Sequence, residues 1–134
     1  MAKAKSESTM NLEENIASMV CYIGAFITGI IFYFMEKKNK TVRFHAMQSI
    51  LTFLPLMIIT NILWWVGSPK WSYSGGYGYY GIYGGYDPGI PILLYISWGL
   101  WALTGILWLI LVFKSYQGEK FKLPIIGDIA EKHA

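Results

Sequence analysis

Charge is almost missing from most of this chain. Ile16–Met35, Ala46–Val66 and Pro88–Phe113 contain no Asp, Glu, Lys, Arg or His, and only 14% of all residues are charged. Proton- or ion-coupled transport normally needs an ionisable group inside a membrane span, so that class is excluded. Cysteine is as scarce: Cys21 stands alone and can form no intrachain disulfide. The two histidines, His45 and His133, argue against a haem held by two axial imidazoles. No His/Cys/Asp cluster has metal-ligand spacing, and no G-x-S-x-G, H-E-x-x-H or phosphate-binding glycine loop occurs. The chain is therefore expected to be no enzyme and to use no cofactor and no metal. The net charge of +3 is no footprint of nucleic acid, because it is explained by the loops that flank the apolar blocks.

What is present is hydrocarbon in long blocks. About 20 apolar residues form a helix long enough to cross roughly 30 Å of bilayer core, and each block reaches that length. The expected fold is an all-α integral membrane protein: one membrane domain over 1–134 with three transmembrane helices at about 12–36, 42–66 and 91–117. A Gly/Tyr-rich outer loop at 67–90 and a short amphipathic cytoplasmic tail at 118–134 complete it. The first block is too long for a signal-peptide core, and Phe32-Tyr33-Phe34-Met35-Glu36 offers no small-residue cleavage site.

Local chemistry refines these boundaries. Asn11, with Glu14 three positions on, suits the cap of the first helix, and Asn39 or Thr41 the cap of the second. Ala17, Cys21, Ala25 and Gly29 recur every fourth residue, a small-residue stripe that admits a close helix contact, read first as packing within the protein. Pro55 should kink the second helix. His45, Gln48 and Thr52 share one face near its start, and Asn61 faces nearly the opposite way. Trp101 and Trp108 lie away from the outer interface, so their indole N–H groups should find partners across a helix contact. The tyrosines of 67–87 suit an interfacial loop or short hairpin on the outer leaflet, residues 1–10 a frayed end, and Gly118 the stop of the third helix.

Basic residues give an orientation. Lys37, Lys38, Lys40 and Arg43 follow the first block, and Lys114, Lys120, Lys122 and Lys132 follow the third, while the outer loop holds Lys70 alone. With three spans, the positive-inside rule places the N-terminus outside and the C-terminus in the cytoplasm of a multi-pass cell-membrane protein. The two basic segments then share the cytoplasmic face. They suggest one interaction surface made of Lys38, Arg43, His45, Gln48, Gly118, Glu119 and Pro124, in which Glu119 meets Lys38 or Arg43 and His45-Gln48 closes onto the tail.

Those segments also carry a resemblance. K-x-K-x-x-V-R-F-H-A-x-Q-S (Lys38, Lys40, Val42–Ser49) followed by Y-Q-G-E-x-[FY]-x-x-P (Tyr116–Pro124) resembles a prokaryotic membrane family similar to the Tic-twenty-type subunit of the chloroplast inner-envelope import machinery. Val42, His45, Gln48, Gly118, Glu119 and Pro124 match that pattern. The resemblance implies a translocon-like integral membrane component of a larger assembly. The expected function is thus a small non-enzymatic subunit that acts through other membrane subunits or self-association in the lipid bilayer. The alternative is a homo-oligomeric channel or solute-permeation protein lined by Gln48 and Thr52.

Overall fold

The computed structural model of the chain describes residues 8–9, 11–73 and 84–134, and the remarks on 1–7, 10 and the centre of the Gly/Tyr loop at 74–83 fall outside them. Among the described residues there are five helices and one two-stranded sheet: α1 (Glu14–Ile23), α2 (Phe26–Met35), α3 (Lys40–Gly67), β1 (Lys70–Tyr73), β2 (Gly84–Asp87), α4 (Pro91–Tyr116) and α5 (Ile126–His133). Among these residues only α3, of 28 residues, and α4, of 26, are long and apolar enough to cross a membrane.

The expected single helix over 12–36 is corrected to two helices of 10 residues each. At about 1.5 Å per residue each is some 15 Å long, about half of the hydrocarbon thickness. The break has local and tertiary causes. Gly24 is a weak helix former. The Thr28 hydroxyl accepts the Gly24 N–H at 3.2 Å and donates to the Cys21 carbonyl at 3.1 Å, offering the backbone partners outside the helix ladder. Ala25 turns the chain with φ +53°, and the Trp108 indole N–H donates to the Tyr22 carbonyl at 2.7 Å. Asn11 does not cap α1: it has φ +56°, and the cap position is Glu13, with no side-chain bond.

Two compact units result. The first contains residues up to Met57 together with Leu103–Ala134; the second is Ile58–Ala102. In the first, Ala17, Cys21, Phe32, Val42 and Ala46 form one buried cluster joining α1, α2 and α3. Tyr22, Phe53, Leu111 and Leu123 form another, which brings in α4 and the tail. Gly29 allows the closest approach: a Cβ there would lie 2.0 Å from Ser49 Oγ and 2.9 Å from the Ala46 carbonyl. Pro55 is accommodated inside α3, which does not end there.

In the second unit, β1 and β2 pair antiparallel with Trp71 opposite Tyr86 and Lys70 opposite Asp87. The Trp71 and Tyr86 rings are 4.9 Å apart, and Lys70 Nζ lies 3.8 Å from the Trp65 ring centre. The Ser97 hydroxyl donates to the Thr60 carbonyl at 3.2 Å, joining α3 to α4. Asn61 lines a cavity of about 350 Å³ with Ile62, Trp64 and Trp65.

Candidate functional site

The polar residues between α2 and α3 are organised around Glu36. Its carboxylate is buried and accepts from the Thr9 N–H and hydroxyl and from the Lys38 and Asn39 N–H groups, the last two at 3.0 Å each. Burial alone would raise its pKa, but these four bonds outweigh it and hold the carboxyl below its ordinary value. Asn39 caps α3, its side-chain oxygen accepting the Thr41 and Val42 N–H groups at 2.9 and 3.2 Å. Its amide N–H then reaches Glu14 Oε2 on α1 at 2.8 Å. One loop therefore joins the N-terminal segment, α1 and α3.

The start of α3 is tied to the tail. Gln48 Nε2 donates to the Phe121 carbonyl at 3.0 Å, and Lys120 Nζ lies 4.8 Å from the centre of the Phe44 ring. His45 is buried with its Nδ1 3.0 Å from the Tyr22 hydroxyl, which donates when the imidazole proton is on Nε2. Gln48 lies beside the same hydroxyl, yet its Oε1 makes no hydrogen bond of normal geometry. Thr52 donates to the Gln48 carbonyl at 2.6 Å. Gln48 and Thr52, expected to line any pore, are both buried within the protomer.

The end of α4 is a Schellman turn. The Gly118 N–H reaches the Ser115 carbonyl and the Glu119 N–H the Lys114 carbonyl, both at 3.1 Å, with Gly118 at φ +76° and packed against the Asn15 side chain. Gly118 is therefore fixed by backbone geometry. Glu119 does not meet Lys38 or Arg43; it pairs with Lys114 at 2.7 Å. Lys38 is exposed and contributes its backbone N–H to Glu36, while Arg43 lies 5.0 Å from the Tyr33 ring centre. Pro124 is exposed, and its carbonyl accepts the Ile126 N–H across a tight turn at Ile125. Glu131 on α5 bonds Lys122 and Lys120, which holds its carboxyl below the ordinary range. The small-residue stripe divides: Ala17 and Cys21 pack against α3, Gly29 receives Ser49, and Ala25 sits at the break.

Three contributors were not singled out from sequence. Thr9 gave no signal, because its role depends on a partner 27 residues away. Glu36 stood beside the lysines and read as part of a charged loop. Tyr22 had the clearest marker, a hydroxyl inside an apolar run that needs a partner once buried. Among the described residues no group of three His, Cys, Asp or Glu side chains is arranged to hold a metal ion.

Comparison with known proteins places these segments in a wider set. A family model described as the magnetosome magnetite crystal formation protein family (MamF/MmsF) matches residues 9–130. A UPF0132 membrane protein of Methanocaldococcus jannaschii is 36% identical over 96% of this chain and 94% of its own length. A UPF0132 membrane protein of Archaeoglobus fulgidus is 37% identical over 90% of the chain and 95% of its own length. No solved structure matches. These matches overturn the resemblance to the Tic-twenty-type import subunit: both motif segments that carried it fall inside residues 9–130. The translocon-like assignment falls with it.

Proposed function

The chain belongs to the MamF/MmsF family, and from that premise we propose that it is a small non-enzymatic integral membrane protein that acts through protein partners on its cytoplasmic face. Its archaeal relatives are named membrane proteins, and α3 and α4 supply two apolar helices of spanning length. Magnetite crystal formation is the role in the description of the family.

One observation carries the proposal: four stretches distant in sequence meet in the first unit. Thr9 bonds Glu36, Glu14 bonds Asn39, Asn15 packs on Gly118, and Gln48 bonds Phe121. A surface held this way is rigid enough to present a fixed shape to a partner. The same contacts favour a different orientation. α1 and α2 are each about half a bilayer long, and the Thr9–Glu36 and Asn39–Glu14 bonds hold the start of this pair beside its end. That supports a chain that enters and returns on one side while α3 and α4 cross. Both termini then lie in the cytoplasm with Lys37, Lys38, Lys40 and Arg43, and Lys70 lies outside, in place of the N-terminus-out arrangement.

The test has two parts. In a Cys21→Ser background, Asn11→Cys and Lys132→Cys should react with a membrane-impermeant maleimide only from the cytoplasmic side, and Asp87→Cys only from outside. Labelling of position 11 from outside would restore a third span. A photocrosslinker at Phe121 in native membranes should then give adducts with other membrane subunits. Adducts only between identical copies would favour the homo-oligomeric permeation reading.

A further inference from the structure

Arg43 is a cation whose buried hydrogen-bonding group the described contacts leave without a partner. It stands one turn into α3, half-buried, and its Nε is fully buried with no hydrogen-bond partner. No carboxylate pairs with it among the described residues. The nearby acids are committed elsewhere: Glu36 to Thr9, Lys38 and Asn39, and Glu14 to the Asn39 amide. A buried donor without an acceptor is costly, so the site calls for an acceptor that the described residues do not supply.

The surroundings indicate its chemistry. The Tyr33 ring lies 5.0 Å from the guanidinium carbon, and the Tyr33 hydroxyl donates to the His133 carbonyl at 3.1 Å. That bond joins α2 to the end of α5 and gives the guanidinium a fixed aromatic floor. Lys40 is three residues before Arg43 on α3, Lys132 is adjacent to His133, and both are exposed. The ligand is thus an anion with several oxygens, to which a guanidinium presents two parallel N–H groups. The same helix that supplies Tyr33 exposes Ile30, Ile31 and Phe34, at 36%, 46% and 73%. An apolar strip next to a phosphate-type site suits an amphiphile and not a free ion. We propose that Arg43, floored by Tyr33 and flanked by Lys40 and Lys132, binds the phosphate of an anionic phospholipid at the cytoplasmic headgroup level. This stands apart from the partner reading, since lipid binding is measured on the purified chain alone.

The full chain, purified in neutral detergent, would be titrated with fluorescent phosphatidylglycerol and, separately, phosphatidylcholine. The native protein should prefer phosphatidylglycerol. Arg43→Gln should weaken that lipid about tenfold, the scale of one charge-assisted contact, with phosphatidylcholine binding unchanged. Arg43→Lys, which keeps charge but loses the planar fork, should fall between the two, and it preserves the test if Arg43→Gln does not fold. Equal phosphatidylglycerol affinity in native and Arg43→Gln proteins would overturn the proposal. So would an equal loss in Lys38→Gln, which would mean diffuse charge, or displacement of the lipid by inorganic phosphate at matching concentration, which would mean an ion site.

Discussion

The two units of this chain differ in what they bury, although α3 and α4 run through both. The first buries large apolar side chains beside polar ones; the second, among the described residues, buries only small ones. Up to Met57 and from Leu103, the interior holds Tyr22, Phe53, Leu111, Val42 and Phe32 together with polar groups that are largely hydrogen-bonded. In Ile58–Ala102 the buried described residues are Thr60, Gly67 and Ser97, while Ile58, Ile62, Trp65, Tyr95 and Trp98 are exposed. The difference teaches which solvent each part answers to. Against lipid, burying an isoleucine gains little, so helices meet through small residues and a hydroxyl. Where a chain must also order loops, caps and a tail beside water, apolar burial and satisfied polar groups supply the stability.

The same substitution in the two regions gives the sharpest contrast. Gly29→Ala places a methyl group against Ser49 Oγ and the Ala46 carbonyl, and should destabilise by about 2–3 kcal/mol in a denaturation series in mixed micelles. Gly99→Ala meets nothing within 4 Å and should stabilise α4 by up to about 1 kcal/mol. Equal effects would mean that α2 and α3 do not approach as described.

A smaller effect is expected at Glu36. Glu36→Gln should cost about 1–3 kcal/mol at neutral pH, because at least one of the four donors on this buried carboxylate loses its acceptor. The sign with pH follows from a folded-state pKa below the ordinary 4.5. The carboxylate's contribution is complete above that value and is lost as pH falls through the lower, folded pKa. The stability gap between native protein and Glu36→Gln should therefore narrow in acid and stay level from pH 5 to 7, on the order of the ordinary carboxylate window. A gap that widened in acid would remove Glu36 from the centre of the loop.

The least effect belongs to the second unit. Ser97→Ala removes the bond to the Thr60 carbonyl and should cost about 0.6 kcal/mol, the average for such contacts in membranes. A loss as large as that of Gly29→Ala would erase the distinction between the units.

Much of this was legible in the residues themselves. Gly118 after the third block read as a helix stop, and it is the αL residue of a Schellman turn. Asn39 or Thr41 read as the cap of the second helix, and Asn39 is the one that caps it. Trp108 read as needing a partner and finds the Tyr22 carbonyl. These succeed because caps, stops and unpaired donors are local requirements. The pairing of Glu119 was misread because Lys114 and Lys38 are equally good cations on paper; the Schellman turn brings Lys114 to it.

The sequence by itself determined the solvent: uncharged blocks of that length belong in hydrocarbon, and their flanking lysines mark the water-facing ends. It could not decide whether the first block forms one helix or two. Twenty apolar residues suit one helix or two halves equally well in lipid, since each helix satisfies its own backbone. The choice fell to contacts from elsewhere in the chain: Trp108 taking the Tyr22 carbonyl, Ser49 set against Gly29, and Thr9 reaching Glu36.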